Sequence, residues 1–412
     1  MFLSIEFWKL RELARRIWVR IALISGLALI AVAATPVLGW LLPEGMKDRI
    51  TEEALRDLLS VLSGSMLAVA TFSLSVMVSA HHFAASQVTP RSHRLLRQDG
   101  RTQSVLATFI GAFVYAIVAI VLVNAGLFGG RDFAAVYGVT IVVLALVIVA
   151  LVRWVRQISS LGSIEATTER VESAARAAME DRMEAPFLGG CALPEDGPPA
   201  GTIPVVAQAH GWVRHIDLER LSDLAKTSEA RLYLAKVPGD RVAPDDVLIH
   251  VETERMSVEA QTEMNAAIVI GPLRDFMQDP GFGIEVLSEI GQRALSPGMN
   301  DPRTATHVVW LQLGLLTLWQ ARDTCKPQFP RLFVPPLRAQ ALVEGAFDYI
   351  ARDGAALVEV QVAVQSALAH LARHPDAEMA QAARIVSARA LERMDLPLSA
   401  DAAVVRTAAA GR

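Results

Sequence analysis

The sequence predicts an α-helical membrane protein: four transmembrane helices followed by a cytosolic α+β domain that contains a small β-module and a helical bundle. Three observations carry this. Hydrophobic residues make up 52% of the 412 residues and the mean hydropathy is +0.36, too apolar for a disordered chain and ill suited to a purely cytosolic one. Four apolar stretches reach the length, about 20 residues, that crosses a ~30 Å hydrocarbon core. The charge is also asymmetric: residues 1–160 hold 15 Lys/Arg against 9 Asp/Glu, and the remainder holds 24 against 34.

The spans run from Trp18 to Leu42, Leu58 to His81, Ser104 to Phe128 and Ala134 to Trp154. The first is about twice as long as the apolar core of a signal peptide, so it is expected to stay as an anchor. Trp18 and Trp40 suit its two interfaces, and Thr35-Pro36 is expected to kink its outer end. Basic residues set the orientation. Lys9, Arg11, Arg15, Arg16 and Arg20 precede the first span, Arg91, Arg94, Arg97 and Arg101 separate the second from the third, and Arg153 and Arg156 follow the fourth. The opposite loops are poorer in basic residues, so the bacterial inner membrane with both termini cytosolic is the expected placement. Residues 1–156 then form an N-terminal interfacial helix and the transmembrane domain.

In the second span Gly64, Ala68, Thr71, Ser75, Ser79, His82 and Ser86 recur every three or four residues and share one helix face. Small residues and hydroxyls let membrane helices approach closely; the same stripe, repeated in several copies, would line a hydrophilic path. His81 and His82 stand at its expected cytosolic mouth. No Asp, Glu, Lys or Arg lies deep in a span, which disfavours a proton relay or a voltage sensor. The loop from Pro90 to Arg101 reads as an interfacial helix whose Arg91, Arg94, Arg97 and Arg101 contact lipid headgroups; four arginines against a bilayer are too few for nucleic acid.

Residues 157–201 read as an amphipathic helix continuing the fourth span to about Met183, then a Pro/Gly-rich linker. Residues 202–254 form the β-module, from the runs at Ile203–Ala207, Arg231–Val237 and Val247–Val251, with a helix capped by Asp217 between the first two. Gly239 to Leu248 is similar to a lipoyl-type hairpin but carries no lysine for a prosthetic group. His210, His215 and His250 read as strand residues, and Cys191 and Cys325 have no metal-ligand spacing. Residues 255–395 are helical, and residues 396–412 are expected to be a flexible tail. Within the helical part, Ser296-Pro297-Gly298-Met299-Asn300-Asp301-Pro302 breaks one helix and starts the next. The start of the second helix offers free amides, so Arg293, Ser296, Gly298, Asn300, Asp301, Arg303 and Thr304 form a candidate anion or partner corner, beside the plainer reading of a capped turn.

Phe72-Ser73-Leu74-Ser75, Gln87-Val88-Thr89-Pro90-Arg91, Asp99, Gln103, Leu106, Phe109, Phe113 and Tyr115 stand in the membrane half. Gly211-Trp212-Val213 with His215-Ile216-Asp217, Gln278-Asp279-Pro280 with Phe282-Gly283, and Arg293 to Ala305 stand in the other. Together they resemble the signature of a bacterial predicted-membrane-protein family, domain of unknown function 2254, over nearly the whole chain. His82 departs from the glutamine frequent there, and Arg303 is unusual in a variable slot. The resemblance implies four spans and a cytosolic α+β domain, with no established activity.

Phosphate loops, nucleophile elbows and zinc-protease motifs are absent, so the sequence predicts no enzyme, metal or cofactor. Its leading functional expectation is a homo-oligomeric conduit for a small ion or solute, with a cytosolic vestibule or regulatory domain. The alternative is a membrane-tethered sensor or scaffold whose cytosolic domain binds a partner or anion.

Overall fold

The computed structural model describes residues 6, 13, 17–41, 51–87, 89–92, 100–128, 130–158, 163–320 and 326–411. The chain divides into two compact units, one formed by Lys9–Gln87 with His93–Ala166, the other by Thr167–Arg412 together with Val88–Ser92.

The first unit is a bundle of α1 (Ile17–Leu41), α2 (Glu52–Gln87), α3 (Gly100–Asn124) and α4 (Gly130–Ile158). All four are long and apolar enough to cross a membrane. Buried Leu59, Leu62, Met66, Phe109, Tyr115 and Val147 make the core, while Leu27, Ile30, Val61, Phe72, Val142 and Val152 remain exposed. Apolar surface pointing outward is what lipid requires and water penalises. A Cβ on Gly111 would sit 2.6 Å from Ile24 Cγ2, so this glycine lets α1 and α3 approach. The α1 helix runs through Pro36, and Thr35 Oγ1 donates to the Val32 carbonyl at 2.7 Å.

The boundary between the units falls within α5 (Ile164–Glu184), most of which belongs to the second. This is a separate helix, not the expected extension of the fourth span: Ser163 Oγ accepts from Ala166 N–H at 3.0 Å and caps its start. Two sheets follow. The larger has the order β1-β8-β4-β6-β2, from β1 (Cys191–Ala192), β2 (Ile203–Val206), β4 (Arg231–Leu234), β6 (Val247–Glu252) and β8 (Leu332–Val334). The smaller, β5-β3-β7, combines β3 (Gly211–Ile216), β5 (Arg241–Val242) and β7 (Ile268–Gly271). Gly239 to Leu248 is therefore no hairpin, because β5 and β6 belong to different sheets. Nor is the β-region confined to residues 202–254, since β1, β7 and β8 come from outside it. Val205, Leu232, Leu234, Ile249, Val251 and Leu332 bury their side chains in a common core with α6 (Leu218–Thr227) and α7 (Val258–Ala266). Each such side chain contributes roughly 1.5–3 kcal/mol.

The remaining helices are α8 (Pro280–Ala294), α9 (Pro302–Leu316), α10 (Ala339–Asp353), α11 (Val358–Leu371), α12 (Ala377–Arg393) and α13 (Ser399–Ala409). Buried glutamines tie them together. Gln312 Nε2 donates to the Ile284 carbonyl at 2.8 Å, and Gln361 Nε2 donates to Ala351 and Gly354 carbonyls at the end of α10. The expected flexible tail is instead largely α13, whose Ala402, Val405 and Ala408 are buried; alanine and valine at positions i, i+3 and i+6 give it a narrow apolar face against α11.

Candidate functional site

The residues of the α2 stripe face away from their own bundle. Leu55, Leu59, Leu62, Met66, Ala70, Ser73 and Met77 are buried, whereas Gly64, Ala68, Thr71, Ser75, Ser79 and His82 are exposed. At 100° per residue the two sets occupy opposite sides of the helix. The motif Phe72-Ser73-Leu74-Ser75 thus splits, with Ser73 inward and Ser75 outward. Thr71 Oγ1 donates to the Leu67 carbonyl at 2.8 Å and Ser75 Oγ to the Thr71 carbonyl at 3.1 Å. These back-bonds satisfy the hydroxyl protons while leaving oxygen lone pairs available on the outer face. The side chains of His81 and Ser86 lie outside the described residues.

Arg94 and Arg97, and the side chain of Arg101, also lie outside the described residues. Arg91 does not, and it belongs to the second unit. Thr89 caps a helical turn begun by Pro90: Ser92 N–H donates to Thr89 Oγ1 at 3.3 Å, and Thr89 and Ser92 are buried. Arg91 Nη1 reaches Glu285 at 3.5 Å and pairs closely with Glu289, both on α8.

Glu285 and Glu289 edge a cleft of about 960 Å³ between the β-region and the α8 and α10 helices. At its floor Arg274 makes a two-pronged pair with Asp279 at 2.7 and 2.9 Å and also reaches Glu285. The guanidinium lies 5.4 Å from the Trp212 ring centre and 5.1 Å from that of Phe282. Burial opposes charge on Arg274, but Asp279 and Glu285 outweigh it and hold the group above the ordinary guanidinium range. Burial likewise pushes the Asp279 carboxyl up, against the pull of Arg274. Ser288 and Gln292 on α8, and Arg338, Tyr349 and Arg352 around α10, add to the charged and polar lining, with Arg182, Asp240 and Gln278.

The motif residues explain how the cleft is built. Gln278 bonds both backbone groups of Ile216, accepting at 2.9 Å and donating at 3.3 Å. Asp279 caps α8 through Phe282 N–H at 3.1 Å, and Pro280 takes the first turn. A Cβ on Gly283 would lie 2.4 Å from Ala175 Cβ, so α8 presses directly on α5. A Cβ on Gly211 would lie 2.6 Å from the Gly271 carbonyl oxygen, which keeps β3 and β7 close. Sequence reasoning quoted Gln278, Asp279 and Gly283 as family signature but did not see that they frame a cleft. Arg274, Glu285 and Glu289 carried no motif of their own.

The corner between α8 and α9 is a self-capped turn. Asn300 takes φ +46°, a left-handed conformation that asparagine tolerates. Asp301 accepts from Thr304 N–H at 3.1 Å and from its hydroxyl at 2.5 Å. The Thr304 hydroxyl, then its N–H, hold the Asp301 carboxyl below the usual range. Arg293, Gly298, Asn300 and Arg303 are exposed around it, with Ser296 half-buried; Gly298 has no atom near its missing Cβ. The amides expected to attract an anion already face the protein's own carboxylate, which would repel one.

Among the described residues no three His, Cys, Asp or Glu side chains gather to hold a metal. An uncharacterised protein of Mycobacterium bovis and one of Mycobacterium tuberculosis H37Rv are each 27% identical over 261 residues, which is 62% of this chain and 50% of the relative. The chain thus spans about half the length of the curated relatives it matches. No solved structure matches it. The family model for the predicted membrane proteins DUF2254 matches residues 14–370, so the motifs at the α2 stripe, the cleft and the α8–α9 corner all fall inside it, and the chain belongs to that family.

Proposed function

We propose that the protein is a homo-oligomeric conduit of the bacterial inner membrane, passing a small ion or solute along an axis lined by α2, and that it is not an enzyme. Both termini are cytosolic in this reading, and the second unit serves as vestibule or regulatory domain. The observation that carries it is the outward face of α2. Exposed Thr71, Ser75, Ser79 and His82 offer lipid a polar strip, whereas a ring of copies gives that strip water and one another. The test is flux in vesicles reconstituted with the full chain. Ser75→Leu combined with Ser79→Leu should abolish it; undiminished flux in the double variant, or none from the parent under any gradient, overturns the conduit.

A membrane-tethered sensor or scaffold is the second reading, and the cleft of about 960 Å³ favours it. In that reading the ligand site is the cleft, not the α8–α9 corner, because Asp301 already occupies the amides there.

A further inference from the structure

We propose that Arg91 is a latch that holds residues 89–92 on α8 and that anionic lipid headgroups release. The segment is encoded between the second and third spans, beginning two residues past Gln87, the last residue of α2. It nevertheless packs as part of the second unit. Ser92 is fully buried there, and the Thr89 and Ser92 hydroxyls are in contact at 3.1 Å. Its charged anchor is Arg91 on Glu285 and Glu289.

The anchor is built to be exchangeable. The Arg91 side chain is 49% exposed, and those of Glu285 and Glu289 are 40% and 19% exposed. A half-exposed ion pair is weak and screened by salt. Glu285 is in addition shared with Arg274, so it keeps a cationic partner when Arg91 leaves, while Glu289 turns to water through the part of its side chain that is exposed. The competing partner follows from chemistry. An arginine a few residues beyond a membrane helix, in a loop that continues with Arg94, Arg97 and Arg101, is attracted by anionic headgroups about as strongly as by an exposed carboxylate. A guanidinium forks onto phosphate as readily as onto carboxylate. Arg91 cannot satisfy both. The inference does not rest on the conduit reading, because its readout is docking and not flux.

Hydrogen exchange at the Arg91 and Ser92 amides tests it, on the full chain in nanodiscs of phosphatidylcholine alone and with phosphatidylglycerol added. In phosphatidylcholine, Arg91→Glu should speed exchange about fivefold, and adding Glu289→Arg to it should restore protection. Phosphatidylglycerol should speed exchange in the parent and leave Arg91→Glu unchanged. Glu289→Gln, which removes charge without changing shape, should resemble Arg91→Glu and guards against a folding defect in the reversal. Equal exchange in parent, Arg91→Glu and Glu289→Gln overturns the latch; a parent unmoved by phosphatidylglycerol overturns its release by lipid.

Discussion

Single residues in the second unit do more than one task, and Asp301 shows it. The same carboxylate caps α9 and closes the turn after α8. Asp301→Ala should cost about 1 kcal/mol, the usual worth of an N-cap, read as a lower denaturation midpoint. Its carboxyl is held down in the folded protein, so its contribution is full above the unfolded value near ~4 and fades as pH falls through the lower folded value. Asp301→Asn should flatten that acid-side slope; an unchanged slope means the carboxylate is not what stabilises the turn. Much of this corner was legible in the sequence, because Asn-Asp-Pro after a Ser-Pro-Gly break is local turn chemistry. Which of Asn300 and Asp301 does the capping was not, since both are competent and only the left-handed backbone at Asn300 decides.

At the level of elements, close approaches set the arrangement. Gly283 brings α8 against Ala175 of α5, and Gly283→Val should destabilise the protein by about 1–3 kcal/mol, as overpacking does. A thermal midpoint within error of the parent would mean the two helices can part without loss. The sequence reading located the four spans, the second six residues short at each end, the strands at Ile203, Arg231 and Val247 and the helix break from Ser296 to Pro302, because periodicity and caps act within one element. It gave no run for β1, β5, β7 and β8, nor for β3 beyond reading His215 as a strand residue. Strands of two to four residues leave no alternation to read, and they persist only through partners such as Phe333, which pairs with both Cys191 and Tyr233. Calling 396–412 a loose tail failed for a related reason. Alanine-rich sequence looks featureless until α11 supplies the surface that buries Val405. The cleft escaped for a related cause: Arg274, Asp279, Glu285 and Glu289 are near one another in sequence, but its opposite walls come from the β-region and α10, which only the tertiary fold brings to them.

For the whole molecule the decisive quantity is the number of chains. A stripe of hydroxyls on the outside of one bundle is better accommodated by copies of itself than by acyl chains. Native mass measurement of the detergent-extracted protein should therefore give a multiple of 44.6 kDa, and a strict monomer removes the conduit. The stripe itself was readable from spacing alone. That it turns outward was not, because a span with Met and Leu on one side and Thr and Ser on the other can be packed either way until its neighbours are known.

The order of the larger sheet has a consequence for synthesis. β8 lies between β1 and β4 and pairs with both in parallel, yet some eighty residues separate it from β6. At a ribosomal rate of about 5–20 residues per second, β4 waits on the order of 4–16 s for its second neighbour. Through that interval the nascent chain carries a bare strand edge, the kind of surface that pairs promiscuously. Maturation of this half is thus gated by translation itself, and it starts only after all four apolar helices have left the ribosome.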